Sequence, residues 1–244
     1  MTLKSQVLAP PALPANKAGA FRSSVGNKVL MAATGLILFA FVIGHLLGNL
    51  LIFRGPEAVN GYAQHLRDLG ALLWAVRLVL LLSVAVHIWT SIHLAIENRR
   101  ARPTGYRRFH PAVTSLAART MMASGVLVAA YIVYHLLHFT FRTAQPELAR
   151  LTDSSGRHDV YAMMVLGFRR WPVSLAYLGG VGLLCLHLGH GAASALQTLG
   201  LNNARTLPRF AAAGHVIAWL IFLGYAAIPL AVLGGVLTLP GPAP

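Results

Sequence analysis

Four histidines, His45, His87, His135 and His187, each lie deep inside one of the chain's long apolar stretches. An imidazole in hydrocarbon is costly unless a metal or a hydrogen bond engages it, so an intramembrane ionisable residue implies a partner. Four of them, one per stretch, imply two pairs. Histidine is a common axial ligand of haem iron, and cofactor sites in helix bundles are built from side chains on facing helices. The chemistry these residues could perform is electron transfer through two bis-histidine haems.

Five apolar runs carry or flank these residues, at about 29–53, 71–96, 119–141, 172–198 and 211–238, each near the roughly 20 residues that a spanning helix needs. The chain is 56% hydrophobic and 11% charged, and its mean hydropathy is +0.63. Soluble domains carry about twice that share of charge. The expected fold is an all-α membrane protein, with a flexible arm at 1–24 and a five-helix haem-binding bundle at 25–240. Little chain is left over for a soluble catalytic domain, so chemistry on a water-soluble substrate would belong to a partner.

The net charge of +14 does not point to nucleic acid, because the cations sit at span ends. Lys4, Lys17, Arg22 and Lys28 precede the first span, Arg99 to Arg119 separate the second and third, and Arg205 and Arg209 separate the fourth and fifth. Those segments hold 12 cations against 7 on the opposite side, where Glu57, Asp68, Glu147, Asp153 and Asp159 also lie. The bias places the N-terminus in the cytoplasm and the C-terminus outside. The first apolar run begins too late for a secretory signal.

Helical rise gives each histidine a height. His45 is roughly 25 Å from Lys28 and roughly 13 Å from Arg54, and His135 is roughly 24 Å from Arg119 and roughly 10 Å from Arg142. The two belong at one outer level. His87 and His187, on spans that run the other way, sit mid-membrane to cytoplasmic. The expected pairs are His45 with His135 and His87 with His187. On periodicity alone, His138 and His190 share faces with His135 and His187 and could replace them. His93 reads as interfacial.

Other features carry a plainer reading beside a chemical one. Gly44, Gly48, Gly125, Gly189 and Gly191 suit a flat macrocycle against backbone, and they equally suit helix packing. Arg77, inside the second span, is a candidate for a haem propionate, or snorkels to the interface. Cys185 and His187 have the spacing of half a Rieske ligand set, but no second pair exists, so Cys185 reads as an inert buried thiol. A proton-coupled transporter would show an internal repeat, and none is read from the sequence.

The ordered contexts Lys28-Val-Leu-Met-Ala-Ala-Thr-Gly35, Gly44-His-Leu-Leu-Gly-Asn49, His87 ahead of Asn98-Arg-Arg-Ala-Arg-Pro103, Tyr134-His135 and His187-Leu-Gly-His-Gly191 resemble one family. It is the cytochrome b558 membrane subunit of bacterial succinate dehydrogenases and fumarate reductases, the single-chain, five-helix, dihaem anchor. The resemblance runs from about residue 22 to at least 200, and motif by motif it selects His45, His87, His135 and His187 as axial ligands. It implies two haems b, a quinone such as menaquinone as substrate, and a bacterial inner-membrane location among lipid. It also implies a flavoprotein subunit with FAD and an iron–sulfur subunit as partners, the latter docking on the Arg99–Arg119 loop. A hydrogenase-type dihaem anchor would share the ligands. Tyr62, His65, Asp68, Arg77 and His138 are the candidates for quinone or propionate contacts.

Overall fold

In the computed structural model, residues 23–101, 116–203 and 205–241 are described. Nearly all of the arm expected at 1–24, and most of the basic loop from Arg99 to Arg119, fall outside them. The described chain is built of helices: α1 Ser24–Asn49, α2 Pro56–Asp68, α3 Ala71–Arg100, α4 Leu116–His135, α5 Val160–Arg169, α6 Trp171–Thr198 and α7 Leu207–Leu233. Short 3-10 turns at Leu50–Arg54 and Pro146–Arg150, and a π-helical turn at Leu136–Thr140, join or extend them.

Local chemistry sets the boundaries. The Ser23 hydroxyl accepts from the Gly26 amide at 3.0 Å and opens α1, satisfying a donor that the first helical turn otherwise leaves orphaned. Asp159 does the same for α5 through the Ala162 amide at 2.9 Å. Prolines start α2, α6 and α7, where a missing N–H costs no helical bond. Gly55 and Gly70, with φ of 95° and 52°, make the reversals on either side of α2.

Five helices are long and apolar enough to cross a membrane, Ser24–Arg54, Ala71–Arg100, Thr120–Thr140, Trp171–Thr198 and Leu207–Leu233. They match the five runs expected. Their outward faces expose Leu72, Trp74, Leu81, Leu186 and Leu220, a surface that suits lipid and not water. This is an all-α, multi-pass membrane protein.

α1 packs closely against α3 and α6, α4 packs against α6, and α3 touches α4 lightly. These four helices therefore form a square in which α1 faces α4 and α3 faces α6 across the diagonals. α7 lies along α6 on the outside.

One end of the square is capped by the segments that the hydropathy pattern leaves as loops. α2 and α5 are short helices held together by polar contacts. Arg157 forks onto both carboxylate oxygens of Glu57, at 2.9 and 2.6 Å, and its Nε donates to Asp153 at 2.8 Å. Asn60, 1% exposed, donates to Asp153 and Asp159 at 3.3 and 3.0 Å and accepts from the Tyr161 amide at 2.9 Å. Every polar atom of that buried amide side chain is thereby engaged. Ile52, Val59, Met164, Val165 and Phe168 form the apolar core beneath.

Candidate cofactor sites in the bundle

The diagonal geometry brings the four histidines together in the two expected pairs. His45 on α1 and His135 on α4 have ring centres 5.8 Å apart, with planes at 78°. His87 on α3 and His187 on α6 have ring centres 6.4 Å apart, with planes at 73°. His190 takes no part in the second pair, and His138 none in the first.

The heights also separate as expected. Thr34 of α1 contacts the His87 ring, and His45 lies eleven residues further along α1. Ser124 of α4 contacts the His187 ring, and His135 lies eleven residues further along α4. Eleven residues of helix rise about 16 Å. One pair therefore sits near the capped end and the other about 16 Å below it.

Hydrogen bonds fix the tautomer of the lower pair. The Met31 carbonyl can only accept, so His87 donates to it from Nδ1, at 3.1 Å. Thr34 Oγ1 spends its proton on the Leu30 and Met31 carbonyls, at 2.8 and 3.1 Å, and so can only accept from the same Nδ1, at 3.4 Å. On the opposite side Ser124 Oγ donates to the Met121 carbonyl at 3.1 Å and accepts from His187 Nδ1 at 3.2 Å. With Nδ1 carrying the proton, Nε2 of each ring keeps its lone pair, the form a metal requires.

Small residues make the fit. A Cβ on Gly35 would stand 3.1 Å from Cε1 of His87, and one on Gly125 would stand 3.5 Å from Cε1 of His187. A side chain at Gly35 would crowd the ring, which would have to give by a few tenths of an ångström even for a lone Cβ.

Thr34-Gly35 with His45, and Ser124-Gly125 with His135, are thus equivalent sets on parallel helices, and the sequence repeats to match. Met31, Ala33, Gly35, Ala40, His45, Leu46 and Leu47 recur as Met121, Ala123, Gly125, Ala130, His135, Leu136 and Leu137 at a constant offset. Most of the matched positions lie within three residues of a group that touches an imidazole. The likeness is hard to see because it covers a single helix, and its remaining positions differ, mostly by one apolar residue for another.

The upper pair is held differently. Phe41 stacks on the His45 ring at 5.2 Å, and among the described residues no hydrogen bond to that ring is present. His135 Nδ1 lies 3.3 Å from Tyr177 Oη. His138, fully buried, sits on the π-helical turn with Nδ1 3.0 Å from the same oxygen and Nε2 3.0 Å from the Gln145 amide. Both of its nitrogens are engaged within the protein, so it offers neither to a propionate nor to a quinone.

Two imidazoles per site make a sparse donor set for a metal bound by protein alone, which takes about four ligands for zinc. Among the described residues no three His, Cys, Asp or Glu side chains gather at one point. A haem supplies four in-plane nitrogens and needs two axial ones. With a metal–nitrogen bond of about 2 Å on each side, the ring centres of two axial imidazoles stand about 6.3 Å apart. Both observed separations are close to this figure, so the residues present fit the group. Cys185 is buried among Leu46, Val181, Ala218 and Ile221, as an inert thiol would be.

The other candidates line the capped end. Tyr62 lies against Gly48, where a Cβ would meet its ring at 2.6 Å. That places Tyr62 one helical turn above His45. His65 and Asp68 are exposed on α2, with Asp68 accepting from Gln64 at 2.8 Å. Arg77 is exposed and lies over the Trp74 ring, 4.9 Å from its centre.

No protein-family model, curated protein or solved structure matches the chain.

Proposed function

We propose that this chain is the dihaem cytochrome b anchor of a succinate:quinone oxidoreductase. Two histidine pairs at two heights in one bundle, each with ring centres at the spacing of axial ligands, carry the reading. The haems would supply reversible one-electron chemistry at each level. The chain's own part is to hold His87 and His187 in the Nδ1–H tautomer, to seat His45 and His135 near the capped end, and to keep water out of the bundle between them.

By the charge bias of the span ends the capped end would face outside, and the family resemblance would put the chain in the inner membrane of a bacterium. Electrons would then enter from an iron–sulfur subunit docked at the basic, cytoplasmic end, after a flavoprotein subunit oxidises succinate. They would leave to a quinone docked at the protonatable edge formed by Tyr62, His65 and Asp68, with Arg77 beside it. Tyr62 is the candidate best placed for this, because its ring lies one turn from His45.

The complex purified with its partner subunits tests this reading. Co-purification of FAD and iron–sulfur proteins with succinate:quinone activity supports it, and hydrogenase subunits in their place overturn it in favour of another dihaem anchor. His65→Ala and Asp68→Asn should impair quinone turnover while leaving succinate oxidation by soluble acceptors intact. Unchanged quinone kinetics in both removes them from the site.

A further inference from the structure

His135 is joined to the protein surface by an unbroken run of hydrogen-bonding side chains. Tyr177 and Gln145 are 6% and 4% exposed and His138 is 0% exposed, so the run is buried along its length. It surfaces at Arg170, which also donates to the Glu147 carboxylate at 2.9 Å.

Donor chemistry fixes its direction. Arg170 can only donate, so the Gln145 amide turns its oxygen to the guanidinium, at 3.1 and 3.2 Å from Nη1 and Nε. The amide NH2 then donates to His138 Nε2 at 3.0 Å. His138 must carry its own proton on Nδ1, and it donates this to Tyr177 Oη at 3.0 Å. An iron-ligating His135 likewise has its proton on Nδ1 and donates to the same oxygen at 3.3 Å. Two N–H donors therefore converge on one tyrosine oxygen.

We infer that Tyr177 and His138 act as a matched pair of positioning residues that set the reduction potential of the outer haem alone, a role that rests on the dihaem reading above. A hydrogen-bond acceptor on Nδ1–H makes an axial imidazole more basic and favours the oxidised metal. Tyr177 is that acceptor. His138 weakens it by drawing on the same oxygen, and Arg170 and Gln145 hold His138 in the tautomer that does so. The lower pair has no counterpart, since Thr34 and Ser124 receive no second donor among the described residues.

The two residues should therefore push the potential in opposite directions. Redox titration of the purified complex, followed at the haem absorption bands with electron paramagnetic resonance to separate the two haems, reads this directly. Tyr177→Phe should shift the outer haem upward, His138→Leu should shift it downward, and His138→Gln, which keeps an N–H for Tyr177, should return it toward the parent value. The inner haem should not move. If Tyr177→Phe loses the outer haem, the two His138 variants decide. Unmoved potentials with both haems bound, or equal shifts of both haems, overturn the inference and leave the dihaem reading intact. An unaltered complex without haem overturns both.

Discussion

The two histidine pairs solve the same problem with different surroundings. His87 and His187 are fixed by groups on the neighbouring corners of the square, Thr34 with the Met31 carbonyl on one side and Ser124 on the other. Those contacts are short-range and stay inside the bundle. Of the upper pair, His45 is held by packing against Phe41, whereas His135 is tied through three further side chains to a surface arginine. The lower site is closed, its two rings held by similar hydroxyl groups with a backbone carbonyl added on the His87 side. The upper one is asymmetric and connected to the capped end, the place where an electron acceptor with protons to gain would dock.

The largest expected effect comes from removing a ligand. His135→Leu or His45→Leu should lose the upper haem, and His87→Leu or His187→Leu the lower, each dropping the haem count from two to one. Retention of two haems by any of the four would break the pairing. Next is the close packing that serves only the lower pair. Gly35→Val should displace His87 and weaken or abolish the lower haem while sparing the upper, as a haem count and a low-spin resonance signal would show.

A smaller, graded effect separates the two halves of the lower site. Ser124→Ala removes the one acceptor given to His187 Nδ1, whereas Thr34→Val leaves His87 its Met31 carbonyl. Both should raise the lower haem's potential, Ser124→Ala by more. Equal shifts would mean that the carbonyl contact does not hold the ring.

The cap provides the contrast in stability. Asn60→Leu leaves the Tyr161 amide without its acceptor and removes one of the donors to Asp153 and Asp159, and should cost about 1–3 kcal/mol, measured by thermal unfolding in detergent. The smallest effect is that of acid. The Arg157 hydrogen bonds hold the Glu57 carboxyl below its ordinary value; burial alone would raise Asp153, but bonds from Arg157 and Ser155 bring it down as well. Groups with depressed values stabilise the fold above the ordinary carboxylate range and lose that contribution as the pH falls through the lowered values, below about pH 4. Hydrogen exchange should then rise in α2 and α5 before it rises in the spans.

The spans and the pairing of the histidines were legible because both rest on periods a single sequence displays: unbroken hydrophobic runs, and a fixed rise per residue that gives each histidine a height. α2 and α5 were not, because they are too short to stand out and are held by long-range polar bonds such as Arg157 to Glu57. Thr34 and Ser124 escaped notice as ordinary small residues; only their equal distance from His45 and His135, read side by side, marks them. Tyr177 of α6 meets His138 of the π-helical turn that follows α4, a proximity no local pattern encodes. His138 looked interchangeable with His135 by spacing, and the difference lies in what its two nitrogens touch.

The most direct test is a dithionite-reduced minus oxidised absorption spectrum of the purified chain with a pyridine haemochrome count. Two b-type haems per chain are expected. A chain that folds and inserts into the membrane yet binds no haem would contradict the central claim.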